Sequence, residues 1–187
     1  ESLEIEALKE KIKNCNNILD FGCGNGRTTL SLAQDFPQIQ FYGTDFIEEM
    51  IESANFRKKE LGLKNVVFSV ADAKKENLAE QLCLKFDIVF TKRFLINLHS
   101  EFKKNAIKNI YNLLDEKGTY IMIECFKEPL NKINQIRKEL SLGEIKEHEF
   151  NEYLQDDFTK ILTKYFEISE TEDFESFYYF MSRIFNA

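Results

Sequence analysis

The run Ile18-Leu19-Asp20-Phe21-Gly22-Cys23-Gly24-Asn25-Gly26 joins a short apolar stretch and an acidic residue to three glycines at alternate positions. The apolar stretch reads as a buried strand and residues 27–34 as the helix that follows it. The glycines between them permit left-handed backbone and put no Cβ between the main chain and a ligand. The N-terminus of such a helix offers unpaired N–H donors and partial positive charge. A strand turned through glycines into a helix is the opening of a nucleotide-type site on a parallel sheet.

The spacing here is G-x-G-x-G, not the G-x-G-x-x-G of dinucleotide sites, and Asp20 stands two residues before the first glycine. A carboxylate at the mouth of the turn suits a cationic amine better than a pyrophosphate. The run D-F-G-C-G-N-G resembles motif I of the class I S-adenosylmethionine-dependent methyltransferases. That resemblance implies that Asp20, Gly22, Cys23, Gly24 and Gly26 pack against the methionine and ribose portions of the cofactor.

Later segments agree in order. Residues 38–45 read as a second strand ending in Asp45, about twenty residues past the glycines, where a carboxylate can accept both ribose hydroxyls. That spacing alone also fits NAD. Residues 65–73 form a third strand ending in Ala71-Asp72-Ala73, and the family's acidic residue here holds the adenine amino group. Phe46 and Ile47 are implied to flank the adenine. The segment Phe86-Asp87-Ile88-Val89 is similar to the family's F-D-x-V strand. Residues 112–123 resemble its L-L-x-x-G-G segment, with Lys117-Gly118 in place of two glycines and Gly118 left to take the unusual φ. The resemblance is strong over residues 14–125 and weak beyond. It implies an α/β, doubly wound, mostly parallel seven-stranded sheet with an antiparallel C-terminal strand, the Rossmann-like methyltransferase fold.

The alternation of elements independently argues for a parallel sheet covered on both faces. Helices are predicted over 2–13, 27–36, 47–61 and 102–114, the last with Ser100 as its cap. After Cys125 the alternation breaks. Residues 130–141 read as an extra helix stopped by Leu142-Gly143, 156–165 as another, and 166–171 and 177–185 as two closing strands. The 187 residues, with eighteen Phe, suffice for one domain with a sizeable core. The reading is a single domain over 1–187 with an acceptor-side cap at about 126–155.

Charge and composition narrow the partners. A net charge of −7 argues against a nucleic-acid substrate, which needs clustered Lys and Arg. The runs Arg57-Lys58-Lys59 and Lys103-Lys104 read as solvated helix faces. The proline-containing segment of amino-directed base methyltransferases is replaced here by Thr91-Lys92-Arg93-Phe94. No apolar stretch is long enough to span a bilayer. Cys15, Cys23, Cys83 and Cys125 lack metal-ligand spacing; Cys15, Cys83 and Cys125 read as buried or half-buried thiols, and the pattern points to a reducing cytoplasm. No metal is expected, since Asp87 begins its strand instead of joining a ligand cluster. The chain is read as a monomer or homodimer. It begins at Glu1 without Met, which reads as a trimmed start, and related enzymes often cover the cofactor with residues ahead of the first strand.

The chemistry implied is displacement of a methyl group from S-adenosyl-L-methionine, leaving S-adenosyl-L-homocysteine. Thr91 ends the fourth strand nearest the expected methyl group. Lys92 and Arg93 are candidate acceptor contacts, with Arg93 as a surface ion-pair partner the competing reading. Glu124, His99 and His148 are candidate catalytic groups. Each candidate also has a structural reading: Asp20 as a turn anchor, Asp45 as a helix cap, Asp72 as a turn cap, Phe46 and Ile47 as core. The segment from Arg93 to Leu98 resembles one in methyltransferases of bacterial surface-carbohydrate pathways. It implies a small polar acceptor, with O-methylation of a sugar or phosphorylated metabolite the leading choice. The alternatives are a cofactor-binding partner or sensor domain without catalysis, aminopropyl transfer, and a dehydrogenase.

Overall fold

The computed structural model describes residues 3–75, 78–79 and 83–172. Among them, five strands form one parallel sheet: β1 (Asn17–Phe21), β2 (Gln40–Asp45), β3 (Val66–Val70), β4 (Phe86–Lys92) and β5 (Leu114–Ile123). Their spatial order is β3-β2-β1-β4-β5. The chain runs outward from β1 through β2 to β3, then returns to β4 on the other side of β1. The order therefore reverses between β1 and β4, and their carboxyl ends flank the crevice where open α/β sheets bind ligands.

The helices are α1 (Leu3–Ile12), α2 (Arg27–Asp35), α3 (Glu48–Glu60), α4 (Ser100–Leu113), α5 (Lys127–Glu139) and the single turn α6 (Thr159–Leu162). Alternate residues of β1 and β4 go to opposite faces, as the pleat requires. Leu19, Phe21 and Val89 join Ala106, Ile107 and Ile110 of α4 in one core. Ile18, Ile88 and Phe90 join Leu8 and Ile12 of α1, Leu30 of α2 and Ala54 of α3 in the other. Each large aliphatic side chain fully buried in this way contributes roughly 1.5–3 kcal/mol. Asp87 fixes the start of β1, because its Oδ2 accepts from the N–H groups of Asn16 at 2.6 Å and Asn17 at 3.0 Å.

Several local expectations are corrected. Gly118 does not take a positive φ; the glycines that do are Gly22, Gly24, Gly26 and Gly62. It lies in a bulge, for Phe86 pairs with Leu114 while Ile88 pairs with Thr119. A Cβ on Gly118 would stand 2.9 Å from the Phe86 carbonyl oxygen, so close approach is what requires the glycine. Helix α4 starts at Ser100, with His99 at its N-cap position and no side-chain cap. The Ser100 N–H donates instead to Glu152 Oε2 at 3.1 Å, a partner remote in sequence. Helix α5 starts three residues early and ends through Ser141 at φ 56, not at Gly143. Lys103 is not on a solvated face: it is 4% exposed and donates to the Glu152 carbonyl at 3.0 Å. Cys83 is exposed.

Residues 166–171 form no strand. Phe166 packs against the rings of Tyr111 and Tyr120, but residues 167–172 are all exposed and have no buried face to pair or pack. The expected strand at 177–185 lies outside the described residues. Among the described residues no helix is long and apolar enough to cross a membrane.

Candidate functional site

The glycine turn leaves β1 at the crevice. The N–H groups of Gly22 and Cys23 both donate to the Thr44 carbonyl of β2, at 2.8 and 2.9 Å. Gly22, Gly24 and Gly26 have φ of 83, 53 and 72, and Gly26 is the N-cap of α2. A Cβ on Gly22 would lie 2.2 Å from the Phe94 ring, and one on Gly26 2.7 Å from the Phe68 ring. A Cβ on Gly24 would meet nothing within 4 Å. The outer glycines are therefore packed against aromatic rings, while the space above the middle one holds no protein atom within 4 Å.

Two carboxylates brace this turn. Asp45 Oδ2 accepts from Gly24 N–H at 2.9 Å, and its Oδ1 accepts from Ile47 N–H at 3.0 Å, tying the turn to the entry of α3. Ile47, not Asp45, occupies the N-cap position. Asp20 is 3% exposed, and its Oδ2 accepts from the Thr29 hydroxyl at 2.6 Å. Burial pushes the Asp20 carboxyl up to about 7, against the opposing pull of the Thr29 bond and the Lys92 charge. Burial also raises the Cys23 thiol, which disfavours its thiolate, and the sulfur packs against the core that holds Phe68. Asp72 Oδ1 accepts from Lys74 N–H at 3.0 Å, the turn-capping role. Ala71 N–H donates to the Asp45 carbonyl, and Ala73 is buried with its carbonyl bonded to Asn109. Phe46 is 59% exposed and is not core. Lys74 Nζ lies 5.7 Å from its ring centroid and 5.0 Å from that of Phe102.

At the other side of the crevice, Thr91 is buried and its hydroxyl is 2.8 Å from Tyr120 OH. Lys92 and Arg93 both reach Glu4 of α1: Lys92 Nζ is 3.3 Å from Glu4 Oε2, and Arg93 Nη2 2.7 Å from Oε1. Glu124 Oε1 accepts from the N–H groups of Phe94 and Leu95, each at 3.0 Å. This bond anchors the turn that carries Phe94 onto Gly22. Glu124 Oε2 is buried with no hydrogen-bond partner among the described residues. Burial pushes the Glu124 carboxyl up to about 7, opposed by the backbone N–H donors and by the nearby Thr91 hydroxyl.

Neither histidine joins these groups by a hydrogen bond. His99 is exposed ahead of α4. His148 is exposed on the loop after α5, its ring 5.6 Å from Phe150. That loop returns to the sheet through a Phe126–Leu154 bridge and a bond from Glu152 N–H to the Ile96 carbonyl at 2.7 Å. A cavity bordered by Glu4, Arg93, Glu124, Cys125, Phe126 and Tyr153 continues along β5 and does not include Gly24, Asp45 or Asp72. The structure thus groups Asp20, Asp45 and the glycines on one side, and Thr91, Lys92, Arg93 and Glu124 on the other.

Glu4, Thr29, Phe68, Phe94 and Tyr120 hold these groups and were not singled out from sequence. Their contacts join elements remote along the chain; Glu4 and Arg93 are 89 positions apart. Only the phase of the apolar pattern could have hinted at them.

A family model described as a methyltransferase domain matches residues 12–169. The carboxy-S-adenosyl-L-methionine synthase of Nautilia profundicola is 25% identical over 157 residues, 81% of this chain and 62% of that protein. The malonyl-[acyl-carrier protein] O-methyltransferase of Bacillus cereus is 27% identical over 155 residues, 75% of this chain and 53% of that protein. The chain spans less than two-thirds of the length of these curated relatives. A crystal structure of an S-adenosylmethionine-dependent methyltransferase from Clostridium acetobutylicum superposes with a TM-score of 0.62 at 20% identity, covering 85% of this chain and 77% of that one, a likeness of fold. With the family match spanning most of its length, the chain belongs to the class I S-adenosylmethionine-dependent methyltransferases.

Proposed function

We propose that the protein transfers a methyl group from S-adenosyl-L-methionine to a small polar acceptor. The observation that carries this reading is the open face above Gly24, braced from beneath by the Asp45 carboxylate. A Cβ at Gly24 would stand in that space with no protein atom within 4 Å, which leaves room for a ligand against the bare backbone. Gly22, Gly24 and Gly26 with Cys23 would hold the amino-acid portion, Asp20 its ammonium, Asp45 the ribose, and Phe46, Ile47, Ala71, Asp72 and Ala73 the adenine. A cation drawn against the buried Asp20 would favour its ionised form and so its own binding. When bound, S-adenosyl-L-methionine supplies an activated methyl group.

The protein's own contribution is alignment and exclusion of water. Holding reactants in a productive geometry supplies on the order of 7–11 kcal/mol in well-ordered systems. For a hydroxyl acceptor a base adds roughly 10²–10⁴-fold. Among His99, His148 and Glu124, the last is the one supported: it directly follows β5, holds the loop behind the crevice, and keeps one buried oxygen without a hydrogen-bond partner among the described residues. The acceptor proposed is a sugar or phosphorylated metabolite of surface-carbohydrate biosynthesis, contacted by Lys92 and Arg93 and covered by residues 126–155. Support comes from the cations at the end of β4 and from the O-methyltransferase among the relatives.

Calorimetric titration with S-adenosyl-L-methionine and S-adenosyl-L-homocysteine, on wild type and Asp45→Ala, tests the cofactor assignment. Micromolar binding weakened at least tenfold in the variant is expected. Equal binding by both proteins removes Asp45 from the site. An acceptor screen with Glu124→Gln then tests the base: its rate falls at least tenfold and its pH profile loses the limb near 7.

A further inference from the structure

We infer that Lys92 and Arg93 form an oxyanion subsite for the methyl acceptor, and that the Glu4 carboxylate of α1 occupies this subsite until the acceptor displaces it. The word acceptor rests on the methyl-transfer reading; the anion site itself does not.

The position comes first. Phe90 of β4 pairs with Asp20 of β1, so Lys92, the last residue of β4, and Arg93 after it stand on the ligand side of the strand-order reversal. Lys92 follows Phe90 by two residues and so shares its face of β4, the face that carries Asp20 on the neighbouring strand. Glu4, Arg93 and Glu124 border one cavity with Phe126 and Tyr153 of the segment that covers this end. A ligand approaching from that cavity meets the guanidinium directly.

The chemistry comes from how Glu4 is held. Each of its oxygens takes one cation, Oε1 from Arg93 at 2.7 Å and Oε2 from Lys92 at 3.3 Å. A carboxylate or phosphate offers the same pair of oxygens to a planar guanidinium and a point-charge ammonium. The Arg93 side chain is 53% exposed while those of Glu4 and Lys92 are 18% and 19% exposed. The pair is therefore open on its arginine side. Ion pairs at such rims contribute little to stability, so an incoming anion can exchange with Glu4.

The backbone adds an independent observation. Arg93 has φ 52, in the left-handed region that a non-glycine residue enters at a cost. Two bonds lock it there: Arg93 N–H donates to the Ile123 carbonyl at 2.8 Å, and Asn97 Nδ2 donates to the Arg93 carbonyl at 2.6 Å. Glu124, bonded to the next two N–H groups, locks the chain that follows. A strained residue over-determined by its neighbours, with a charged side chain at the rim of a crevice, is built to hold that charge in place. Ion pairing with a surface helix requires no such backbone.

Calorimetric titration of the full chain with inorganic phosphate, malonate, glucose 1-phosphate and glucose tests this without any cofactor present. Glu4→Gln removes the resident anion and is expected to tighten binding of the anionic probes about tenfold over wild type, with glucose unaffected. Adding Arg93→Gly, which accepts φ 52 without strain and keeps the fold, is expected to abolish the gain. The ratio of phosphate to malonate affinity tells a phosphorylated acceptor from a carboxylate one. Equal anion binding by Glu4→Gln and by Glu4→Gln/Arg93→Gly overturns the subsite, as does wild-type binding as tight as that of Glu4→Gln. S-adenosyl-L-homocysteine titrated into the same samples separates the two readings. Cofactor binding without anion binding removes only the subsite, and anion binding without cofactor binding removes only the methyl-transfer reading.

Discussion

Alanine at Gly22 and alanine at Gly24 should part stability from ligand binding, although both residues sit in one turn with positive φ. For L-residues the left-handed region costs about 1–2 kcal/mol. At Gly24, φ 53, that strain is the whole expected cost, because a new Cβ meets nothing within 4 Å. At Gly22, φ 83, the Cβ would lie 2.2 Å from Phe94 Cδ2 and 2.8 Å from its Cγ. The ring is backed by Phe21, 5.1 Å away between centroids, and its own N–H is held by Glu124. It cannot withdraw without breaking that packing, and overpacking of this kind adds about 1–3 kcal/mol. Gly22→Ala should then lose about 2–5 kcal/mol and Gly24→Ala about 1–2 kcal/mol. For a domain of this size each kcal/mol lowers Tm by about 2–4 °C. Urea unfolding monitored by circular dichroism measures both, and calorimetry with S-adenosyl-L-homocysteine measures the site. Gly24→Ala should bind at least tenfold more weakly while losing no more stability than the backbone strain of about 1–2 kcal/mol. Equal unfolding free energies for the two variants would falsify the packing argument. Undiminished binding by Gly24→Ala would show that the open face above that glycine is not where the ligand lies.

Other outcomes follow from the buried acids and the strand anchor. The carboxyls of Asp20 and Glu124 are both raised to about 7, so between about pH 4.5 and 7 the folded state binds more protons than the unfolded chain. Stability contributed by these groups is therefore present below the unfolded pKa and lost as pH rises through the folded one. Glu124→Gln should flatten that decline and leave the protein relatively more stable than wild type at pH 8, by on the order of 1–3 kcal/mol; an unchanged pH–stability curve would show that folding does not raise this carboxyl. Asp87→Ala frees two backbone N–H groups at the head of β1 and should cost about 1–3 kcal/mol in urea unfolding, with cofactor affinity unchanged.

The glycine turn and the acids after the strands were legible in the sequence because their determinants are local. A turn that needs positive φ and bare backbone selects Gly22, Gly24 and Gly26 within five residues. Strand-end acids follow at the spacing that βαβ units impose, so Asp45 and Asp72 could be placed before any coordinates. The parallel sheet was equally legible, since apolar strands alternating with amphipathic helices have one stable arrangement. Less local features misled. Gly118 was read as a conformational glycine when its need is steric, set by how closely a bulge approaches the Phe86 carbonyl. Lys103 looked like part of a solvated run because nothing nearby shows that Glu152 returns 49 residues later to cover it.

The contacts of Lys92, Arg93 and Glu124 were decided by tertiary structure. Glu4 precedes the sheet and reads as one more surface acid of α1, yet its two oxygens close over Lys92 and Arg93. Glu124 reads as a strand-end carboxylate, and only folding turns it against the backbone of Phe94 and Leu95 and leaves its other oxygen buried without a hydrogen-bond partner among the described residues. The physical reason is range. Backbone conformation and hydrophobic period depend on neighbours within a few residues and are written in the chain itself. The ionisation of a buried acid, the partner of a cation and the ring beneath a glycine depend on which distant segments meet, and those are set when the sheet closes its two cores.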